Sequence, residues 1–97
     1  MTPAGQFTVS PDHSALPGHF PGNPVVPGVV LLDEAFALIL LAHPGRSLAG
    51  LPAVKFTAPV GPDQPVDVAW QPSPDGVDFA CTTGGVPVLH GRARLRP

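Results

Sequence analysis

Cysteine is nearly missing from this sequence: Cys81 stands alone among 97 residues. A single thiol forms no internal disulfide and no multi-thiolate metal cluster, which suits a reducing compartment, so the expected location is the cytoplasm. Basic residues are scarce too. Five Lys and Arg stand against seven Asp and Glu, giving a formal net charge of -2 and a pI near 6.0, so neither nucleic acid nor an anionic membrane is expected as a partner. Long apolar runs are also lacking. The stretch from Val29 to Ala42 is interrupted by Asp33 and Glu34 and is too short and too polar to span a bilayer. The first residues, M-T-P-A-G-Q-F-T-V-S, have neither a basic start nor an apolar core, and no secretory signal is expected from them.

Proline and glycine, in contrast, are plentiful. Fifteen Pro and eleven Gly approach low complexity, yet 43% hydrophobic residues and a mean hydropathy of +0.23 argue against disorder. The prolines are dispersed and read as turns and short connections. A chain of 97 residues makes one domain, residues 1–97, which buries only about two-thirds of the surface its unfolded form exposes. A partner would help to stabilise it.

Gln6 to Ser10 alternates weakly as a short first strand, and Pro11, Asp12, His13 and Ser14 supply turn chemistry, with His13 a solvated loop residue. Pro17 to Pro27 carries Pro17, Pro21, Pro24 and Pro27 and is not helical; Pro21-Gly22 suits the centre of a type II turn. Pro27 fits the first position of a helix that runs to Ala42 or His43 and is ended by Pro44-Gly45, about 24 Å at the usual rise. That helix is apolar on every face, which predicts enclosure. From Leu51 the period changes to two. Pro52 to Val60, Val66 to Gln71, Val77 to Thr83 and Val86 to Leu95 read as strands with short connections, hence an antiparallel meander. With the first strand, and at most a minor one near Ala15, this predicts an α+β domain: about five antiparallel strands wrapped around one long helix.

The stretch that stands out is Gly18 to Ala35, G-H-F-P-G-N-P-V-V-P-G-V-V-L-L-D-E-A. Acids inside an apolar helix are costly to desolvate, and such a cost usually marks a site. In order and spacing this run resembles the signature of the 3-hydroxyacyl thioester dehydratases of bacterial fatty acid synthesis. The match is dense over about eighteen residues and looser, though in register, from Leu51 to the end. The resemblance implies the hotdog fold, with His19 at the catalytic histidine and Asp33, fourteen positions on, at the catalytic acid. Most monofunctional members carry Glu at that place, whereas the bifunctional dehydratase/isomerase carries Asp. Dehydration is implied, and isomerisation is left open. The resemblance further implies that the Val25 carbonyl orients the His19 ring and that the two catalytic side chains come from different subunits of a homodimer. Spacing alone also allows a bent loop to return His19 to Asp33 within one chain.

Dehydration needs a base at the carbon next to the thioester carbonyl, an acid at the departing hydroxyl and donors at the carbonyl oxygen. An ordinary histidine titrates near neutrality, so His19 suits the base. Asp33, desolvated among Val30, Phe36 and Ala37, would favour the protonated form that donates to a hydroxyl. Gly28 lies in the first helical turn, where backbone N–H groups lack internal partners, and its missing side chain lets an acyl group approach. Val25, Phe20 and Pro27 complete the expected substrate-binding set.

Each residue has a plain structural explanation by itself: a histidine beside a Pro-Gly turn, an aspartate with a local hydrogen bond. The pair within the full loop-helix motif favours chemistry. Glu34 points about 100° away from Asp33 and reads as a solvent-edge or interface residue. His43 reads as a helix C-terminal residue favoured by the dipole. Cys81, Trp70 and His90 read as structural. Arg92, Arg94 and Arg96 alternate with Ala93 and Leu95 on one strand face. They form either a charged edge that resists strand-to-strand aggregation or, with Lys55, a dock for an acidic carrier protein or the phosphates of a pantetheine arm.

The sequence therefore predicts a homodimeric dehydratase of 3-hydroxyacyl chains held on acyl carrier protein, with no metal or redox cofactor. The competing readings are a hotdog thioesterase, and a catalytically silent acyl-binding subunit paired with an active partner.

Overall fold

A computed structural model describes residues 1–13 and 25–97. Among these, the elements are β1 (Thr2–Phe7), α1 (Gly28–Leu41), β2 (Ser47–Phe56), β3 (Val66–Ser73), β4 (Gly76–Thr83) and β5 (Val86–Arg96). The strands form one antiparallel sheet in the order β1-β3-β4-β5-β2, and α1 lies against it, touching β1, β3 and β2. One helix on one five-stranded sheet is the architecture expected. The minor strand near Ala15 lies outside the described residues.

Only β3, β4 and β5 form a meander. Ser73 pairs with Gly76 across a two-residue Pro74-Asp75 turn. Thr83 pairs with Val86 across Gly84-Gly85, whose φ values of 56° and 81° match the primed turn that suits twisted strands. The expected fourth member of the meander, β2, pairs with β5 at the far edge instead of with β3. The cause is the connection. β2 ends at Phe56, and residues 57–65 are too long a link for a tight hairpin. Along this link Thr57 and Ala58 donate their N–H groups to Val88 O, at 2.9 and 3.4 Å, and Asp63 donates to Val9 O at 2.8 Å.

β1 also differs from expectation, running Thr2–Phe7 rather than from Gln6 to Ser10. Pro3 and Gly5 disguise it, but an edge strand tolerates both, and the register shifts between them. Ser10 belongs to the following turn: its carbonyl accepts from His13 N–H at 3.0 Å and its hydroxyl from Asp12 N–H at 3.1 Å. β2 likewise contains Pro52, which its edge position permits.

Pro27 is the residue before the helix rather than its first, with φ -58° and an extended ψ of 143°; its carbonyl accepts from Val30 and Leu31. At the other end His43 Nδ1 lies 2.7 Å from Ile39 O, its N–H donates to Leu40 O, and its ring meets Trp70 edge to face at 4.4 Å. His43 is thus the helix-terminal residue the sequence suggests.

The core lies between α1 and the inner sheet face. Val30, Leu31, Ala35, Phe36 and Ile39 pack toward Val66, Val68, Val77, Phe79, Cys81, Leu89, Ala93 and Leu95. Phe36 and Phe79 meet edge to face at 4.9 Å. The sheet covers only one side of the helix, so enclosure is incomplete in the single chain: Val29 is 65% and Leu41 78% exposed. Among the described residues, no helix is long and apolar enough to cross a membrane.

Candidate active site

The first turn of α1 opens onto an apolar groove of about 510 Å³, lined by Val25, Gly28, Leu31, Phe56, Pro59 and Val60 among others. Two elements frame it. Val26 N–H donates to Val60 O at 2.8 Å, which fixes the chain entering the helix to the segment that leaves β2. That segment is in turn held on β5 by Thr57, whose hydroxyl donates to Pro87 O at 2.9 Å. Phe56 ends β2 on the inner face and sets its ring on Gly28. A Cβ at position 28 would lie 2.7 Å from Phe56 Cζ, so the missing side chain is required by the ring as much as by any ligand. In this turn Val30 and Leu31 donate their N–H groups to Pro27 O, whereas the N–H groups of Gly28 and Val29 have no preceding carbonyl inside the helix to bond to.

Val25 and Gly28 therefore share one groove, and half-buried Pro27 stands between them. His19 and Phe20 lie outside the described residues. Asp33 is not in the groove. Five positions at about 100° each put it about 140° around the helix from Gly28. It sits in an exposed stripe with Val29, Ala37 and Leu41, where successive members are four residues apart. The expected enclosure of Asp33 by Val30, Phe36 and Ala37 does not occur within one chain: Val30 and Phe36 turn to the sheet, and Ala37 is itself exposed. Glu34 is half-buried at the margin of the stripe, in keeping with an edge residue.

On the outer face of the sheet Arg92, Arg94 and Arg96 are exposed while Ala93 and Leu95 are buried, the alternation expected. β5 is not an edge, however. It is paired on both sides, by β4 and β2, so these arginines do not shield an open strand. Arg92 donates through Nε to Asp78 at 3.0 Å, and this hydrogen bond holds the Asp78 carboxyl below the usual carboxylate range. Lys55 stands opposite exposed His90. All five Lys and Arg of the chain thus fall on β5, on β2 or, in Arg46, directly before β2. Cys81 is fully buried, and desolvation pushes its thiol up to about 12, which fits core packing rather than chemistry. Of the groove residues that the sequence did not single out, Phe56 is the one that meets Gly28. The one available signal was an aromatic side chain at the last inward position before the Thr57-Ala58-Pro59 break.

Residues 2–92 match the ApeI-like family, described as ApeI dehydratase. The chain belongs to the ApeI-like dehydratase family. Two curated proteins named 3-hydroxyacyl-(acyl-carrier-protein) dehydratase FabZ are similar to this family member. One, from Thermomicrobium roseum, is 43% identical over 46% of this chain and 36% of its own length. The other, from Chloroflexus aggregans, is 36% identical over 60% of this chain and 46% of its own. The matched region thus spans less than half of either relative. Among solved structures, a chain of the dehydratase heterocomplex ApeI:P from Xenorhabdus doucetiae superposes with a TM-score of 0.77 at 24% identity, over 95% of this chain and 84% of that one. An uncharacterised protein from Erwinia carotovora subsp. atroseptica gives a TM-score of 0.70 at 26% identity, over 95% and 80%. The five-stranded antiparallel sheet and helix α1 of this ApeI-like chain are thus those of a hotdog-like dehydratase fold.

Proposed function

We propose that this chain removes water from a 3-hydroxyacyl thioester carried on acyl carrier protein, giving the 2-enoyl thioester, and that it works as a homodimer. The observation that carries the reading is the apolar groove at the first turn of α1, lined by Val25 and Gly28, in a member of a dehydratase family. In this mechanism the acyl chain lies in the groove and the Gly28 N–H donates to the thioester carbonyl oxygen. His19 takes a proton from the carbon beside that carbonyl. The electron pair left there forms the double bond as the C–O bond at the next carbon breaks, and Asp33 supplies a proton to the departing hydroxyl, which leaves as water. His19 ends with one proton more and Asp33 with one fewer, and exchange with solvent restores both.

The exposed stripe through Asp33 supports two chains. A second subunit laid on Val29, Ala37 and Leu41 would bury apolar surface that one sheet leaves bare and would desolvate the carboxyl between them. Arg94, Arg96 and Lys55, exposed on the outer face, suit the approach of an acidic carrier. Incubation with a 3-hydroxyacyl carrier protein tests the reading: the acyl group should lose one water by mass. An unchanged acyl mass sinks it, and release of free thiol would instead indicate thioester hydrolysis.

A second reading, the catalytically silent acyl-binding subunit of a heterodimer, is favoured by one observation. The superposed Xenorhabdus doucetiae chain comes from a dehydratase heterocomplex, and the uncovered stripe would accept a related chain equally well. Carrier binding without turnover by the pure protein, with turnover appearing on addition of a partner, would decide for it.

A further inference from the structure

Phe56 is an aromatic residue left half in solvent, 48% exposed, at the mouth of the groove. Everything around it is pinned. Its own backbone pairs with Leu89 on β5. The next residue is held by its N–H on Val88 O at 2.9 Å and by its hydroxyl on Pro87 O at 2.9 Å. The opposite bank is held by Val26 N–H on Val60 O. Val26 and Val60 are 2% and 1% exposed, and Leu31, which backs the groove, is 3% exposed, so these walls are part of the packed core. The far end of the Phe56 ring lies against Gly28, in the space a side chain there would take, while about half of the residue faces solvent. An aromatic ring in that state can turn about its side-chain bonds on a fast timescale while the frame stays still.

We propose that Phe56 is the specificity-determining residue of this groove, and that its ring limits how far an acyl chain passes over the first turn of α1. The inference rests on the acyl-thioester reading above and deepens it. With the ring on Gly28, a short acyl group fits beside it. A long or branched chain has to displace the ring into water, forfeiting its contact with the helix. Removing the ring opens the passage and favours the longer chain; a bulkier ring narrows it.

The test compares binding of hexanoyl and dodecanoyl pantetheine amides, which have no 3-hydroxyl and no scissile thioester, to the wild type, Phe56→Ala, Phe56→Leu and Phe56→Trp by calorimetry. Rates on the matching 3-hydroxyacyl thioesters are measured in parallel. The expected result is a shift of the dodecanoyl-to-hexanoyl affinity ratio by roughly tenfold or more toward the long chain in Phe56→Ala, a smaller shift in Phe56→Leu and the reverse in Phe56→Trp. Phe56 is partly exposed, so the smaller variants should keep the wild-type circular dichroism spectrum, and Phe56→Leu is the control should the Ala variant lose it. A shifted ratio without any turnover upholds the role of Phe56 and removes the dehydratase reading. An unchanged ratio overturns the role of Phe56 whatever the turnover. If no amide binds to any variant, no acyl chain enters the groove and both fall.

Discussion

Gly28 and Asp33 share one helix and face about 140° apart, so the body of α1 separates the groove from the carboxyl. In a single chain, Asp33 is exposed and does not line that groove. If both act on one substrate, the acid comes from another subunit. His19→Ala and Asp33→Asn should each lower turnover about a hundredfold or more, as expected for loss of a positioned base or acid. Equal mixing of the two inactive proteins should restore measurable turnover, because a mixed dimer holds one site with both native groups. Rates on the mixture no higher than the sum of the two variants would refute a shared site.

The same geometry makes Ala37 a probe of assembly. It is exposed and sits one helical turn from both Asp33 and Leu41. Ala37→Arg puts a good helix former on an uncovered face, so the single chain should fold as before. Sedimentation should show the two-chain species proposed for the wild type replaced by one chain, with a lower thermal midpoint because the stabilisation from association is lost. A wild type that already sediments as one chain would refute the homodimer.

Cys81 tests the packing of the inner sheet face. Its thiol is fully buried and desolvation pushes it up to about 12, so almost none is thiolate at pH 8. A maleimide or disulfide reagent should leave the native protein unlabelled over hours and should modify one thiol per chain once denaturant is added. Rapid native labelling would mean that β4 is exposed by local opening.

Much of this fold was legible from its punctuation. β3, β4 and β5 alternate with period two and are joined by Pro74-Asp75 and Gly84-Gly85, which admit few alternatives. α1 announced itself by an apolar run between Pro27 and Pro44. The position of β2 was not legible, because pairing with β5 is decided by a link that crosses the sheet rather than by any residue of β2. The motif residues Val25 and Gly28 were singled out by their place in the chain, and both line the groove. The exposure of Asp33 depends on how much of the helix a five-stranded sheet can cover, a tertiary quantity invisible to periodicity. Phe56 matters only because it approaches Gly28, 28 positions earlier in the chain, and no local pattern encodes that approach.

Asp78 and Arg92 predict a pH-dependent contribution. The hydrogen bond from Arg92 comes first among the causes that depress the Asp78 carboxyl in the folded state. A carboxyl depressed on folding stabilises above its unfolded pKa, and that stabilisation is lost as pH falls through the folded value. Asp78→Asn should therefore give a slightly lower urea midpoint than wild type at pH 6, and the two curves should converge toward pH 2. Because the pair is exposed, high salt should shrink the difference at pH 6 as well. A difference that grows on acidification would show that the pair is not its source.

Gly28 and Phe56 should be coupled in stability, and the sign of one substitution should depend on the other residue. Ala is a better helix former than Gly by up to about 1 kcal/mol, and position 28 begins α1 without a left-handed backbone. Alone, Gly28→Ala sets a Cβ 2.7 Å from Phe56 Cζ, so the ring must leave its seat and the helix gain is offset or reversed. In the Phe56→Ala background that obstacle is absent, and Gly28→Ala should stabilise. Urea unfolding of the wild type, both single variants and the double variant closes the cycle, with a coupling of about 0.5–3 kcal/mol expected for residues in contact. If the two effects simply add, the ring does not rest on Gly28 in solution, and the passage it is proposed to restrict is already open.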